Sequence, residues 1–157
     1  MGIVIVFYIL LLFNKDKMGL LTLLDEPHLT ISYDNRNQWL YTDWVGAQNL
    51  RTLQLGCEQI VMYLQAEHCT KILNDNTRLS SIHAQARSWI EKGFVQQLAA
   101  AGLEYMAWVY SLDFDSRFST DLTLLRSTQP VVVGFNDLVA AYAWLEKCET
   151  HPSSLYI

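Results

Sequence analysis

The sequence predicts an α/β domain with a single mixed β-sheet, in which an antiparallel hairpin is followed by β-α-β crossovers in the order ββαβαβαβα. Three observations predict this class. Two short alternating segments stand close together near the start, long segments with apolar spacings of three and four follow, and nearly continuous apolar runs separate those segments. At 157 residues, 51% of them hydrophobic, the chain is long enough for one domain with its own core.

The chain begins with an apolar stretch that we treat apart from this domain. Residues 3–13 carry no charge, and Lys15 and Lys17 follow them. A membrane-spanning helix needs about 20 residues, and a secretory signal carries its positive charge ahead of the apolar core. We therefore divide the chain into an N-terminal extension, residues 1–17, and one domain, residues 18–157. The extension is an over-extended start, an additional packed strand or helix, or a membrane-surface anchor.

An antiparallel hairpin and a long helix open the domain. Residues 28–33 alternate between apolar and polar side chains, a polar turn follows, and residues 39–44 predict the returning strand. The first long helix covers residues 47–67, because its apolar residues recur at intervals of three and four. Those residues are Leu50, Leu53, Cys57, Ile60, Val61 and Leu64.

The stretch around which the rest of the chain is organised is a short apolar strand, residues 71–74. A polar loop that begins at Asp75 and includes Ser80 and Ser81 connects it to the second long helix, which Gly102 ends by taking positive φ. The apolar face of that helix consists of Ala86, Trp89, Ile90, Phe94 and Leu98.

Two further strand and helix pairs complete the predicted order. Residues 104–110 are almost all apolar or aromatic, as in a strand covered on both faces, and a weaker helix follows over residues 113–127. Residues 131–133 predict a short buried strand, and Asn136 or Asp137 caps the last helix.

The composition excludes several classes of function. A net charge of −5 and scattered basic residues disfavour nucleic-acid binding. Cys57, Cys69 and Cys148 are odd in number and widely spaced, which predicts reduced thiols in a cytoplasmic protein. The glycine motifs of nucleotide sites and the histidine spacings of zinc sites do not occur, so we predict no cofactor and no metal.

The carboxyl ends of strands are where ligands and partners usually meet an α/β fold. Our candidate binding residues are Asn74, Asp75 and Asn76, together with Trp108 and Tyr110 on the neighbouring predicted strand. The alternative role of the polar residues is to bond loop amides. The aromatic residues either line a cavity for a small apolar or lipid-like ligand or fill the core.

The chain resembles the STAS and SpoIIAA-like group, and in particular small bacterial STAS-like proteins related to the CRAL-TRIO lipid-transfer fold. The resemblance covers roughly residues 28–147. It is carried by Leu40-Tyr41-Thr42-Asp43-Trp44 with Gly46, Gly56-Cys57-Glu58, Lys71-Ile72-Leu73-Asn74-Asp75-Asn76, Gly102-Leu103, Ala107-Trp108-Val109-Tyr110 and Ser119-Thr120-Asp121. It implies a non-enzymatic module that acts through a protein partner in signalling or stress regulation.

In STAS regulators of this kind, phosphorylation of a serine just ahead of the helix after the central strand breaks a protein interface. Ser80 and Ser81 occupy that place, with Leu79 where the family has aspartate and Ile82 where it has a small residue. A phosphate there adds nearly two negative charges. The alternative is that one serine caps the helix.

We therefore carry three hypotheses, of which the regulatory interaction module is the first and the apolar ligand binder the second. The third is a hydrolase or isomerase in which Asp75 and His83 act together, although no nucleophile, oxyanion donor or metal set accompanies them. We predict that the chain is not an enzyme. A homodimer formed through an edge strand or through the face of Phe114 and Phe118 is a further expectation.

Overall fold

A computed structural model describes residues 19–112 and 129–151. Six strands in this part of the chain form one sheet, and three helices pack on it. The elements are β1 (Leu20–Glu26), β2 (Leu29–Asp34), β3 (Trp39–Gln48), α1 (Leu50–Ala66), β4 (Lys71–Ile82), α2 (Ala84–Ala100), β5 (Tyr105–Val109), β6 (Val131–Phe135) and α3 (Leu138–Lys147).

The strands lie in sequence order across the sheet. The pairs β1·β2 and β2·β3 are antiparallel, whereas β3·β4, β4·β5 and β5·β6 are parallel. This arrangement confirms the predicted mixed sheet with an N-terminal hairpin followed by β-α-β crossovers. Of the predicted elements, the helix over residues 113–127 and the extension, residues 1–17, lie outside the described residues.

β1 corrects the predicted order, because it adds a third antiparallel strand ahead of the hairpin. Its register with β2 shifts between Thr22 and Leu24, which interrupts the alternation by which a strand is detected in a sequence. As an edge strand it also leaves Leu21 largely exposed. An apolar residue on the solvent side further weakens the alternating pattern.

β4 is much longer than the predicted strand and continues through the predicted loop to Ile82. Its register with β3 shifts twice, between Asp43 and Val45 and again between Gly46 and Ala47. Each shift places an extra residue in β4 and ends the simple alternation there. The interpretation of Asp75 and the residues after it as a loop was therefore wrong.

The helix ends show how local residues set the boundaries. α1 begins at Leu50, later than predicted, because β3 extends to Gln48 and the Asn49 side chain accepts a hydrogen bond from the Thr52 N–H. Gly102, at φ 104°, follows α2, and Asp137 caps α3 by accepting from the Ala140 N–H; both predictions are confirmed.

The core has two layers, one on each face of the sheet. α1 and α2 cover one face, to which Ile72 contributes from β4, and α3 covers the other, to which Leu73 contributes. At Gly56, α1 approaches the sheet so closely that a Cβ atom there would lie 2.4 Å from the Trp44 ring. In the described part of the chain, none of the helices combines the length and the apolar character that crossing a bilayer requires.

Candidate functional site

A small cavity lies between the sheet and the α1/α2 layer. Its volume is about 20 Å³, and one water-sized group needs about 10–15 Å³, so there is room for one or two such groups. Leu53 and Cys57 of α1 and Ile90 and Phe94 of α2 form an apolar wall. Asn74 and Asn76 of β4 and Trp108 of β5 also line it.

Three buried donor nitrogens, which together carry five N–H bonds, belong to these polar lining residues. Asn74 and Trp108 are register partners on β4 and β5, and Asn76 follows Asn74 by two residues on the same face of the sheet. The Nδ2 atoms of both asparagines and the Nε1 atom of Trp108 have no hydrogen-bond partner among the described residues. A buried donor without a partner costs about 1–3 kcal/mol, so this concentration of donors calls for an acceptor.

Two residues of β3 set the orientation of the Asn74 amide. Its Oδ1 atom accepts from Thr42 Oγ1 at 2.8 Å and from Trp44 Nε1 at 3.1 Å. Because two donors identify the oxygen, the Nδ2 atom occupies the other position of the amide. Sequence reasoning missed Thr42 as a site residue. The sequence did carry a signal for it: Thr42 lies two residues from both Leu40 and Trp44, and therefore on the same buried face of β3.

Asp75 does not belong to the cavity, because it lies on the α3 side of the sheet. Its carboxylate accepts from the Tyr41 hydroxyl at 2.8 Å and from the Thr77 N–H at 2.9 Å. Burial, together with the Asp75 charge, raises the pKa of Tyr41 far above its usual value and keeps the phenol protonated as a donor. The predicted group of Asn74, Asp75 and Asn76 is thus divided between two faces, because strand residues alternate.

A second carboxylate lies beside Asp75 on this opposite face. Asp43 is the register partner of Asp75 on β3, and the guanidinium of Arg78 pairs with the Asp43 carboxylate. Hydrogen bonding to Asp43 raises the pKa of Arg78. Within residues 19–112 and 129–151, no group of three or more His, Cys, Asp or Glu side chains is arranged to hold a metal ion.

The structure does not bring Asp75 and His83 together. His83 is exposed at the start of α2, whereas Asp75 is buried seven residues before the end of β4. At about 3.3 Å per strand residue, the eight-residue separation corresponds to about 26 Å along the strand. A catalytic centre that needs both side chains at one substrate atom is not assembled.

Of the two aromatic candidates, Trp108 lines the cavity and Tyr110 lies elsewhere. The Tyr110 ring covers Gly134 of β6, where a Cβ atom would be 2.0 Å from the phenol oxygen. A side chain at position 134 would therefore displace the Tyr110 ring, which lies over the neighbouring strand.

Ser80 and Ser81 lie near the end of β4, where the register with β3 shifts for the second time. Ser80 is exposed and Ser81 is half-buried. The residue that caps α2 is His83, whose side chain makes no capping hydrogen bond, so the expectation that a serine caps this helix was wrong. Phosphorylation of either serine stays a prediction.

The cysteines carry free thiols, and Cys57 forms part of the cavity wall. Burial raises the pKa of Cys57 well above its usual value, and burial with the nearby Glu67 carboxylate raises the pKa of Cys69 to about 12. Both thiols are therefore neutral near pH 7, and Cys57 contributes an apolar surface to the cavity.

Comparison with known proteins provides one fold neighbour to describe. No family model matches the chain, and no curated protein matches it. Among solved structures, the chain is similar to an uncharacterised DUF3478-family protein from Shewanella loihica PV-4, described as having a SpoIIAA-like fold. The identity is 15%, the match covers 80% of this chain and 91% of that chain, and the TM-score is 0.46. A likeness of this size assigns neither a family nor an activity.

Proposed function

We propose that this chain is a non-enzymatic binding module that takes a small, mostly apolar ligand into the cavity between the sheet and the α1/α2 layer. The observation that carries the proposal is the meeting of an apolar wall with the buried donors of Asn74, Asn76 and Trp108, which lack partners among the residues described. Ligand sites typically combine mainly apolar walls with a few polar groups that orient the ligand.

The energetic scale supports a role in binding. At about 1–3 kcal/mol for each unsatisfied donor, three donors cost roughly 3–9 kcal/mol. A domain of ordinary stability has a net free energy of unfolding of about 5–15 kcal/mol. An acceptor that enters the cavity recovers part of this cost, and that recovery appears as binding free energy.

The apolar part of such a ligand needs more room than the cavity has in this conformation. α2 forms one wall and is interrupted at Gly93, where the backbone is not helical. Ile90 lies before this interruption and Phe94 after it. Movement of the first part of α2 at this point widens the cavity without disturbing the strands that carry the donors.

Native mass spectrometry of the full chain, purified without denaturation, tests the proposal directly. We expect a reproducible additional mass that is lost on denaturation. Trp89 stacks on Phe94 with ring centroids 6.0 Å apart, so tryptophan fluorescence should also respond to added apolar ligands. A Ser80→Ala control should respond in the same way, because Ser80 is exposed and does not line the cavity. A clean apo mass together with no fluorescence response to fatty acids, esters, alcohols or sterols would contradict the proposal.

Regulation through a protein partner is the second candidate, and the exposure of Ser80 at an irregular point of β4, just ahead of α2, favours it. A phosphate at this place would add charge to an accessible surface. The test is capture of a partner by wild-type, Ser80→Ala, Ser80→Asp and Ser81→Asp chains. Loss of capture only in the aspartate variants supports the switch, whereas equal capture by all four removes it. The native mass spectrum of the same preparation reports whether the chain is a homodimer.

A further inference from the structure

We infer that the end of the ligand that enters the cavity is a carboxyl-type group, a carboxylate or an ester, which brings two acceptor oxygens on one carbon. This inference rests on the proposed function and specifies the chemistry of its ligand. The residues that recognise the group are Asn74, Asn76 and Trp108, through the three donor nitrogens that have no partner in the described ranges.

The three donor residues are close together in the sheet and line the same cavity. Asn74 and Trp108 face each other across adjacent strands, which are about 4.8 Å apart. Asn76 lies about 7 Å further along β4 on the same face. All three residues line a cavity with room for one or two water-sized groups, which is close to the size of a carboxyl group.

The number of hydrogen bonds that a ligand group can accept distinguishes the candidate groups from one another. A hydroxyl or water oxygen has two lone pairs for the five N–H bonds that the two amide groups and the indole carry, and it brings a hydrogen that needs an acceptor of its own. The Asn74 oxygen already accepts from Thr42 and Trp44. An ammonium group cannot accept at all. A carboxylate offers about four acceptor sites, and an ester offers two acceptor oxygens, and neither brings a donor.

Both a carboxylate and an ester fit a cavity without charged lining residues, and the experiment distinguishes between them. None of the described residues that line the cavity is Lys, Arg or His. A carboxylate would therefore be held by hydrogen bonds alone, whereas an ester avoids the cost of burying a charge. The feature common to both, two acceptor oxygens with no donor, is what the three donor nitrogens select.

The experiment compares four ligands with the same hydrocarbon tail, decanoate, methyl decanoate, 1-decanol and decylamine, by calorimetric titration of the full chain. We expect decanoate or methyl decanoate to bind about tenfold tighter than 1-decanol for each additional donor that is satisfied, and decylamine to bind weakest. Whichever of decanoate and methyl decanoate binds tighter shows whether the group is a carboxylate or an ester. Asn76→Leu and Trp108→Phe should each reduce the preference for the carboxyl-type ligand over 1-decanol about tenfold.

Tyr110→Phe is the matched aromatic control, because Tyr110 packs on Gly134 and not on the cavity, and it should preserve the preference. Equal binding of all four ligands to the wild-type chain leaves the proposed function standing and overturns the carboxyl inference. Absence of binding by every ligand contradicts the proposed function itself and the inference with it. The wild-type series decides the inference even where a variant does not fold.

Discussion

Replacing Asn76 with leucine tests whether the buried donors of the cavity are unsatisfied in the free chain. Asn76 is 3% exposed, and its side chain makes no hydrogen bond to any described residue, so the substitution removes an unpaired donor and breaks no bond seen in the structure. Leucine has the same number of side-chain heavy atoms and the same branch point. The adjoining cavity provides room for its larger methyl groups.

The expected result is a more stable chain without ligand. Removing the desolvation cost of the donor contributes about 1–3 kcal/mol, and crowding by the larger side chain offsets part of this gain. We expect a net stabilisation of about 1 kcal/mol, which for a chain of this length raises the Tm by about 2–4 °C. The measurement is urea and thermal unfolding followed by circular dichroism, on chain unfolded and refolded to remove bound molecules.

Asn74→Leu is the matched control. It removes an equally buried donor, but it also deprives Thr42 and Trp44 of their acceptor, so we expect it to destabilise the chain. The reasoning is refuted if Asn76→Leu destabilises the chain as much as Asn74→Leu does. That result would mean that the Asn76 amide is paired in the folded chain.

Three other measurements test the packing and electrostatics around the site. Gly56→Ala should lower the free energy of unfolding in urea by about 1–3 kcal/mol, because the new Cβ atom meets the Trp44 ring. Trp44→Phe should cost less in the Gly56→Ala chain than in the wild type. Additive losses would contradict this contact. The pKa of Cys69 is about 12 when folded against an ordinary 9.0, so the folded chain holds the proton more tightly. Stability should therefore fall as the pH rises from about 9 towards 12, less steeply in Cys69→Ala, and an unchanged slope would count against the shift. Ser80→Asp should change the stability by less than about 0.5 kcal/mol, because Ser80 is exposed; a larger loss in thermal unfolding would show that it is packed.

The sequence by itself determined the fold class, the hairpin, both long helices and the two parallel strands that follow β4. These features depend on short-range regularities, namely alternation in strands and spacings of three and four in helices. It also determined the helix end at Gly102 and narrowed the cap of the last helix to Asn136 or Asp137, because capping and positive φ are properties of individual residues and their neighbours. It did not show β1 or the full length of β4, where register shifts interrupt alternation.

Only the tertiary structure decided which candidate residues share a site. It placed Asn74 and Asn76 on the cavity side of the sheet and Asp75 on the α3 side, once β4 was seen to continue through all three. It assigned Trp108 to the cavity and Tyr110 to Gly134. The orientation of the Asn74 amide is set from β3, by residues about thirty positions earlier in the chain. Such contacts depend on strand register and on the close approach of packed layers, and neither leaves a local pattern in the sequence.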